Sequence, residues 1–258
     1  MSGVVKISNI HEKEVKYSKK ILVFFDLLGF KNLIDNNLET PDKVKSILND
    51  VYHYSKGQSY DFQLINFSDS IILIFESESN DKDISFTNYI NNILGAINRV
   101  QLNLLLNHKV AIRGAAVLGD IYYNEKENII FGPALNTAAG LEKDAVYPRI
   151  IIDKSIVDKL DVKESEEMVF LNFTIDENNE LYANPFQYLV KTPYEQKNGV
   201  INDLKKNLVE IIQEIEQWNV KEQKHRDSVL QKFRWLLNRL NEREVLDFKR
   251  AKEYFTSK

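Results

Sequence analysis

The sequence predicts an α/β (α+β) fold with a helical C-terminal region, and three observations carry that expectation. Apolar strand-like runs, among them Ile21 to Phe30 (ILVFFDLLGF) and Phe67 to Phe75 (FSDSIILIF), alternate with stretches of helical period. Two of those runs flank a turn at Ser68 and Asp69, the signature of a hairpin. Past Lys191 the strand-like runs stop and only amphipathic helical pattern remains.

Residues 1 to 14 form a polar arm. Lys19 to Phe25 is a continuous Ile, Leu, Val and Phe run, as expected of a buried strand. Phe30 to Asn36 follows as a short helix. Thr40 to Tyr54 follows as a longer one, in which Thr40 can cap, Pro41 suits the first position, and Val44, Ile47, Leu48 and Val51 share a face. Tyr60 to Phe67 and Ser70 to Phe75 are the hairpin strands. From Ile84 to Leu106 apolar residues recur at helical spacing, and Val110 to Leu118 is the next strand, extended by Ile121 to Tyr123 and Ile129 to Phe131 around the polar turn NEKEN. Gly132 and Pro133 open a helix from Ala134 to Glu142, Arg149 to Ile152 is a strand, and Met168 to Phe173 and Phe186 to Val190 are expected as two more. Val200 to Trp218 and Asp227 to Leu240 are the C-terminal helices, with apolar faces that suit packing on the core or on a partner chain. The predicted division is residues 15 to 192 for the main domain and 193 to 258 for the helical region.

A chain of 258 residues with 43% hydrophobic and 28% charged residues can bury a sizeable core. Its net charge of −4 supplies no basic footprint for DNA or RNA. Without cysteine there is no disulfide, thiol catalysis or thiolate metal site. The first residues hold no apolar leader, and no stretch reaches the roughly 18 apolar residues of a membrane span, so no membrane partner and a cytoplasmic location are expected. The four histidines, His11, His53, His108 and His225, share no ligand spacing.

Each of the two organising runs is interrupted by one carboxylate, Asp26 and Asp69. A lone aspartate at the edge of a buried strand is costly unless something cationic receives it. Singly, Asp26 reads equally well as a cap for the helix that follows and Asp69 as a hairpin-turn residue. Together they suggest a shared Mg²⁺ or Mn²⁺, whose shell substrate phosphates would complete.

Residue by residue, FFDLLGF, FSDSI, RGAAVLGD (Arg113 to Asp120) and FGPALNTAAGLE (Phe131 to Glu142) resemble the motifs of class III nucleotidyl cyclases, whose catalytic domain is ferredoxin-like. Ser68 stands where that family has glycine, the middle glycine of R-x-G has moved to Gly114, Asn136 is retained, and Gly140 stands where the family has its transition-state arginine. The purine-reading lysine and aspartate positions are Ile65 and Ile129. An apolar pair cannot satisfy a purine's donors and acceptors, and each buried unsatisfied group costs about 1–3 kcal/mol. The combination looks most like the bacterial pyrimidine cyclases of the Pycsar antiphage systems.

That resemblance implies conversion of UTP, or alternatively CTP, to the cyclic nucleotide and pyrophosphate, as a signal to a separate downstream effector. It further implies two Mn²⁺ or Mg²⁺ ions held by Asp26 and Asp69, with the Leu27 carbonyl as an extra ligand, and phosphates cradled by the backbone of Leu28, Gly29 and Phe30. Arg113 would pair with developing charge or else form a salt bridge within the sheet, Asn136 would orient the ribose, and Ile65 and Ile129 would face the base. The active form would be a homodimer, because cyclases of this fold build each site from two protomers. A catalytically silent cyclase-like domain that binds a nucleotide or a partner is the alternative, favoured by Gly140.

Overall fold

The computed structural model describes residues 16–30, 40–57, 60–127, 129–161, 172–176, 178–186, 189, 194–218 and 223–242. It is a mixed α/β fold built on one sheet. Strand β1 (Ser18–Leu28) leads to helix α1 (Thr40–Ser55), the hairpin β2 (Phe62–Phe67) and β3 (Ser70–Glu76), helix α2 (Phe86–Asn103) and the long strand β4 (Ala111–Asn124). Then come β5 (Ile129–Phe131), α3 (Pro133–Asp144), β6 (Ile150–Ile152), the single turn α4 (Lys154–Val157), β7 (Phe173–Ile175), β8 (Leu181–Ala183), and the helices α5 (Tyr194–Glu216) and α6 (Gln223–Glu242).

The sheet order is β2-β3-β1-β4-β6-β8-β7, with β5 paired to β4 outside that path. Strand β1 is antiparallel to both β3 and β4, and β2 is antiparallel to β3. With α1 and α2 as the crossovers, these four strands form the βαββαβ unit of a ferredoxin-like sheet. Strand β6 adds parallel to β4 and carries the β7–β8 hairpin.

Alternation along the strands sorts the residues onto two faces. Ile21, Val23, Phe25 and Leu27 of β1 join Ile71, Leu73 and Phe75 of β3 beneath α1 and α2, where Ile47, Val51, Ile93 and Ile97 complete the main core. Leu22, Ile72, Ile74, Ala115 and Val117 point the other way and meet Ala134 and Ala138 of α3, with Phe24 and Ile65 packed beside them. Asp26, two residues beyond Phe24, belongs to this second face.

Helix α2 runs on into a π-helical turn, Leu104–His108, closed by Lys109 in the left-handed region at φ 55. A π turn leaves carbonyls unpaired, and Asn207 of α5 takes up two, donating to Leu105 O at 3.1 Å and Leu106 O at 2.8 Å. The apolar faces of α5 and α6 are consumed within the chain. Leu204, Leu208, Ile215, Phe233 and Leu240 form one cluster with Leu102, Leu105 and Phe186. Of the two uses that the sequence allowed for these faces, packing on the core is the one observed.

Three expectations are corrected. Strand β1 runs to Leu28, so Asp26 lies inside a strand and caps no helix. The late strand observed is Leu181–Ala183; Phe186, where another was expected to run to Val190, sits in a turn in which Asn184 accepts its N–H, and residues 187, 188 and 190 lie outside the described residues. Arg113 bridges to a helix rather than within the sheet, as described below. The expected helix from Phe30 to Asn36 lies outside the described residues beyond Phe30, and so does most of Met168 to Phe173, whose observed strand is Phe173–Ile175.

Candidate active site

The site begins where β1 meets the tip of the β2–β3 hairpin. Leu27 N–H donates to Asp69 O at 2.9 Å, so the end of β1 is stitched to the hairpin turn. One residue on, the Ser70 hydroxyl donates to Asp26 Oδ1 at 2.6 Å across the Asp26–Ser70 register pair. The two aspartates therefore flank one backbone junction, both half-buried. The turn depends on Ser68, which adopts φ 58 in the left-handed region, where glycine is favoured and where the resemblance places one. Past Leu28 the chain turns sharply at Gly29, φ 85.

On the other side of β1, Asp26 is the register partner of Arg113 on β4. The two strands approach closely here, because a Cβ at Gly114 would lie 2.0 Å from Phe24 O. Directly opposed residues of opposite charge ordinarily pair. Arg113 instead bonds Glu142 of α3, a carboxylate 4% exposed. Burial first, and then the charge of Asp26, push the Glu142 carboxyl up, while Arg113 pulls the other way. The Nε of Arg113 is buried with no hydrogen-bond partner among the described residues. Lys232 of α6 reaches the same cluster. Its ammonium is pushed down by burial and by Arg113, against the pull of Glu142.

Glu142, Ser70 and Lys232 thus join the candidate site beside the residues expected. For Glu142 a signal existed, since G-L-E closes the motif that carries Asn136. As a helical glutamate followed by Lys143 and Asp144, it otherwise reads as a surface residue.

The remaining expected residues are more dispersed. Ile65 is half-buried on the second sheet face, opposite Ile72, which is itself opposite Phe24. Ile129 is 42% exposed at the far end of β4, paired with Asn124. A cavity of about 700 Å³ lies between β2 and the β4–β5 hairpin, lined by Lys20, Gln63, Ile74, Tyr123, Asn124 and Lys126 among others. Asn136 is exposed on the first turns of α3, and Gly140, one turn on, has open space where a Cβ would stand. One chain brings together Asp26, Asp69 and Arg113, while Asn136 and Ile129 stand apart from them.

Asp26 and Asp69 offer hard carboxylate oxygens next to backbone carbonyls, the donor set that suits Mg²⁺ or Mn²⁺. No third His, Asp or Glu completes a metal cage with them among the described residues. Such a pair fits an ion whose other ligands are water and phosphate. No helix of the described residues is long and apolar enough to cross a membrane.

No family model matches the chain, and no curated protein does. Among solved structures the chain is similar to the catalytic core of a rhodopsin-guanylyl cyclase with converted specificity in complex with ATPαS. That match has 14% identity, covers 66% of this chain and 97% of that one, and has a TM-score of 0.43. It is similar also to the monomeric guanylyl cyclase domain of the RhoGC fusion protein from the aquatic fungus Blastocladiella emersonii (14% identity, 65% and 96% coverage, TM-score 0.43). A bacterial light-regulated adenylyl cyclase matches at 14% identity with 73% and 58% coverage and a TM-score of 0.45. With TM-scores below 0.5 these likenesses carry no weight in deciding what the chain does.

Proposed function

We propose that this chain is a nucleotidyl cyclase that converts UTP to cyclic UMP and pyrophosphate, with residues 15 to 192 as its catalytic domain. The observation that carries the proposal is the junction of Asp26 and Asp69, two aspartates on adjoining backbone segments, where Leu27 N–H donates to Asp69 O and the Ser70 hydroxyl to the Asp26 carboxylate. These residues would hold two Mn²⁺ or Mg²⁺ ions, which when bound neutralise the triphosphate and lower the pKa of a coordinated hydroxyl. The reaction forms a bond from the ribose 3′-oxygen to the α-phosphorus, breaks the α–β bridge, and expels pyrophosphate, with the 3′-hydroxyl proton passing to solvent.

The chain's own groups serve that displacement. The backbone of Leu28 to Phe30, around the turn at Gly29, would cradle the phosphates, and the Leu27 carbonyl would add a ligand beside Asp26. Arg113, whose side chain stays partly exposed beside Glu142, would bring positive charge to the phosphates. Asn136, exposed on α3, would reach the ribose of a nucleotide held by a second protomer. Phe67, 81% exposed two residues from Asp69, supplies apolar surface for such a homodimer. Ile65 and Ile129 leave a purine's polar edge unmatched, which favours a pyrimidine, with CTP second to UTP. In the cytoplasm, the product would signal to a separate effector in antiphage defence.

The open space at Gly140 favours a second reading, a silent domain that binds nucleotide without turnover. Incubation of the protein and Mn²⁺ with each of the four nucleoside triphosphates, followed by mass spectrometry, separates the two. Cyclic UMP as the main product supports the cyclase reading. Faster formation of cyclic AMP or cyclic GMP would remove the isoleucines from the base pocket, and nucleotide binding without product would favour the silent domain.

A further inference from the structure

Helix α6 stands over the same sheet face as Asp26 and Arg113. Leu28 and Ala111, the register pair two residues along from Asp26 and Arg113, pack in the apolar cluster that α6 fills with Leu230, Phe233, Leu236 and Leu240. Side chains two apart on a strand share a face, so the helix lies beside the aspartate and the arginine rather than behind them. A second set of contacts fixes which side of α6 faces inward. Trp235 stacks on Tyr147, in the loop after α3, and lies 6.0 Å from the Arg149 guanidinium, while the Arg149 carbonyl accepts the N–H of Gly114, next to Arg113. Lys232 lies one turn before Trp235 and Leu236 on that side and is half-buried.

The ammonium placed there has no partner of its own. Among the described residues Glu142 is the carboxylate whose charge acts on it, and Glu142 is already hydrogen-bonded to both Arg113 and Asp26. Lys232 makes no ion pair or side-chain hydrogen bond among the described residues. Burial and the neighbouring Arg113 both work against its charge, and a cation so placed is costly unless an anion receives it.

We propose that Lys232 is a catalytic residue supplied by the C-terminal helices, its ammonium donating to the triphosphate of the bound nucleotide and to pyrophosphate as it leaves. The proposal rests on the cyclase reading above and gives the helical region a part in that chemistry. Gly140 of α3, with open space where a Cβ would stand, can bring no such charge. In the displacement the ribose 3′-oxygen bonds the α-phosphorus, the α–β bridging bond breaks, and its electron pair leaves on pyrophosphate. Lys232 stabilises that charge through hydrogen bonds and keeps its own protons, while the 3′-hydroxyl proton passes to solvent.

The test uses the full chain with Mn²⁺ and two readouts, the turnover of UTP and the affinity for pyrophosphate measured by isothermal titration calorimetry. Circular dichroism checks that each variant is folded. Lys232→Met keeps the apolar stem and removes the charge. It is expected to lower kcat by ~10²–10³-fold, as on loss of one preorganised electrostatic group. Pyrophosphate binding is expected to weaken by ~10–100-fold, the cost of a hydrogen bond to a charged group. Lys232→Arg, which retains the charge, is expected to recover most of both losses. Lys206→Met on α5, at a side chain 73% exposed, should keep wild-type values. Should Lys232→Met not fold, Lys232→Gln carries the same expectation. Wild-type pyrophosphate affinity in a folded neutral variant overturns the proposal, since Lys232 would then serve packing alone. So does a Lys232→Arg protein as weak as Lys232→Met, or an equal loss in Lys206→Met. Wild-type protein that yields no cyclic nucleotide from any of the four triphosphates sinks the cyclase reading itself, whereas active wild type with an indifferent Lys232→Met sinks this proposal alone.

Discussion

Arg149 shows how this chain handles a charge that it buries for structure rather than for chemistry. Its guanidinium bonds Asp176 at 2.6 Å and Glu180 beside it, and lies 5.3 Å from the Tyr182 ring. Burial alone would raise the Asp176 carboxyl, but Arg149 and the backbone N–H groups of Glu180 and Asn178 together hold it below the usual carboxylate range. A carboxyl depressed in the fold stabilises it above the unfolded value, about 3.9, and that stabilisation is lost as pH falls through the folded value. Asp176→Asn is therefore expected to cost roughly 3 kcal/mol at neutral pH, as when one partner of a buried pair is removed. The deficit against wild type should shrink as the pH drops below about 4. Urea midpoints at pH 7 and pH 3 check this, and a parallel loss in both proteins on acidification would contradict it. At this scale Asp26 and Asp69 were legible because lone carboxylates in apolar strands stand out. Glu142 was marked only by the G-L-E that closes its motif, because its burial is created by the packing of α3 on β4, and one helix's sequence does not reveal that face.

Helices α5 and α6 are held to the sheet by shape and by specific contacts. Trp235 stacks on Tyr147 with centroids 5.0 Å apart and planes 8° from parallel, while Lys109 pairs with Glu210 at 2.8 Å. The fully buried Leu208 sits among Leu204, Ile211 and the residues of the π turn's neighbourhood. Leu208→Ala is expected to destabilise the whole protein by about 2–5 kcal/mol, the cost of emptying a packed leucine site. A single cooperative unfolding transition shifted to lower denaturant is the expected observation; an unshifted midpoint would mean that α5 is not part of the core. Helical period made these two helices and α2 readable, since their apolar stripes meet the core directly. The Leu181–Ala183 strand escaped notice because three residues between turns carry too little pattern.

On the scale of the whole molecule, the second sheet face is covered by α3 over β1 and β4, while the β2–β3 side keeps Phe67 outside. The βαββαβ order followed from the alternation of strands and helices, but pairing and burial across the sheet required the fold. Because Asn136 stands exposed on α3 and the aspartates lie at the β1–β3 junction, a symmetric dimer is expected whose sites each draw on both protomers. Asp69→Asn and Asn136→Ala, each inactive alone, should on mixing recover roughly a quarter of wild-type activity, since half the dimers would carry one intact site. Mixtures that stay inactive while the subunits exchange would count against a shared site.

The most direct test of the central claim, that Asp26 and Asp69 together carry a metal-dependent cyclisation, is the rate of cyclic UMP and pyrophosphate release from UTP and Mn²⁺ by wild type, Asp26→Asn and Asp69→Asn. Wild type is expected to release both products stoichiometrically, and each variant to fall by at least ~10²–10³-fold with circular dichroism unchanged. A folded variant of either aspartate that turns over UTP at near the wild-type rate would contradict it.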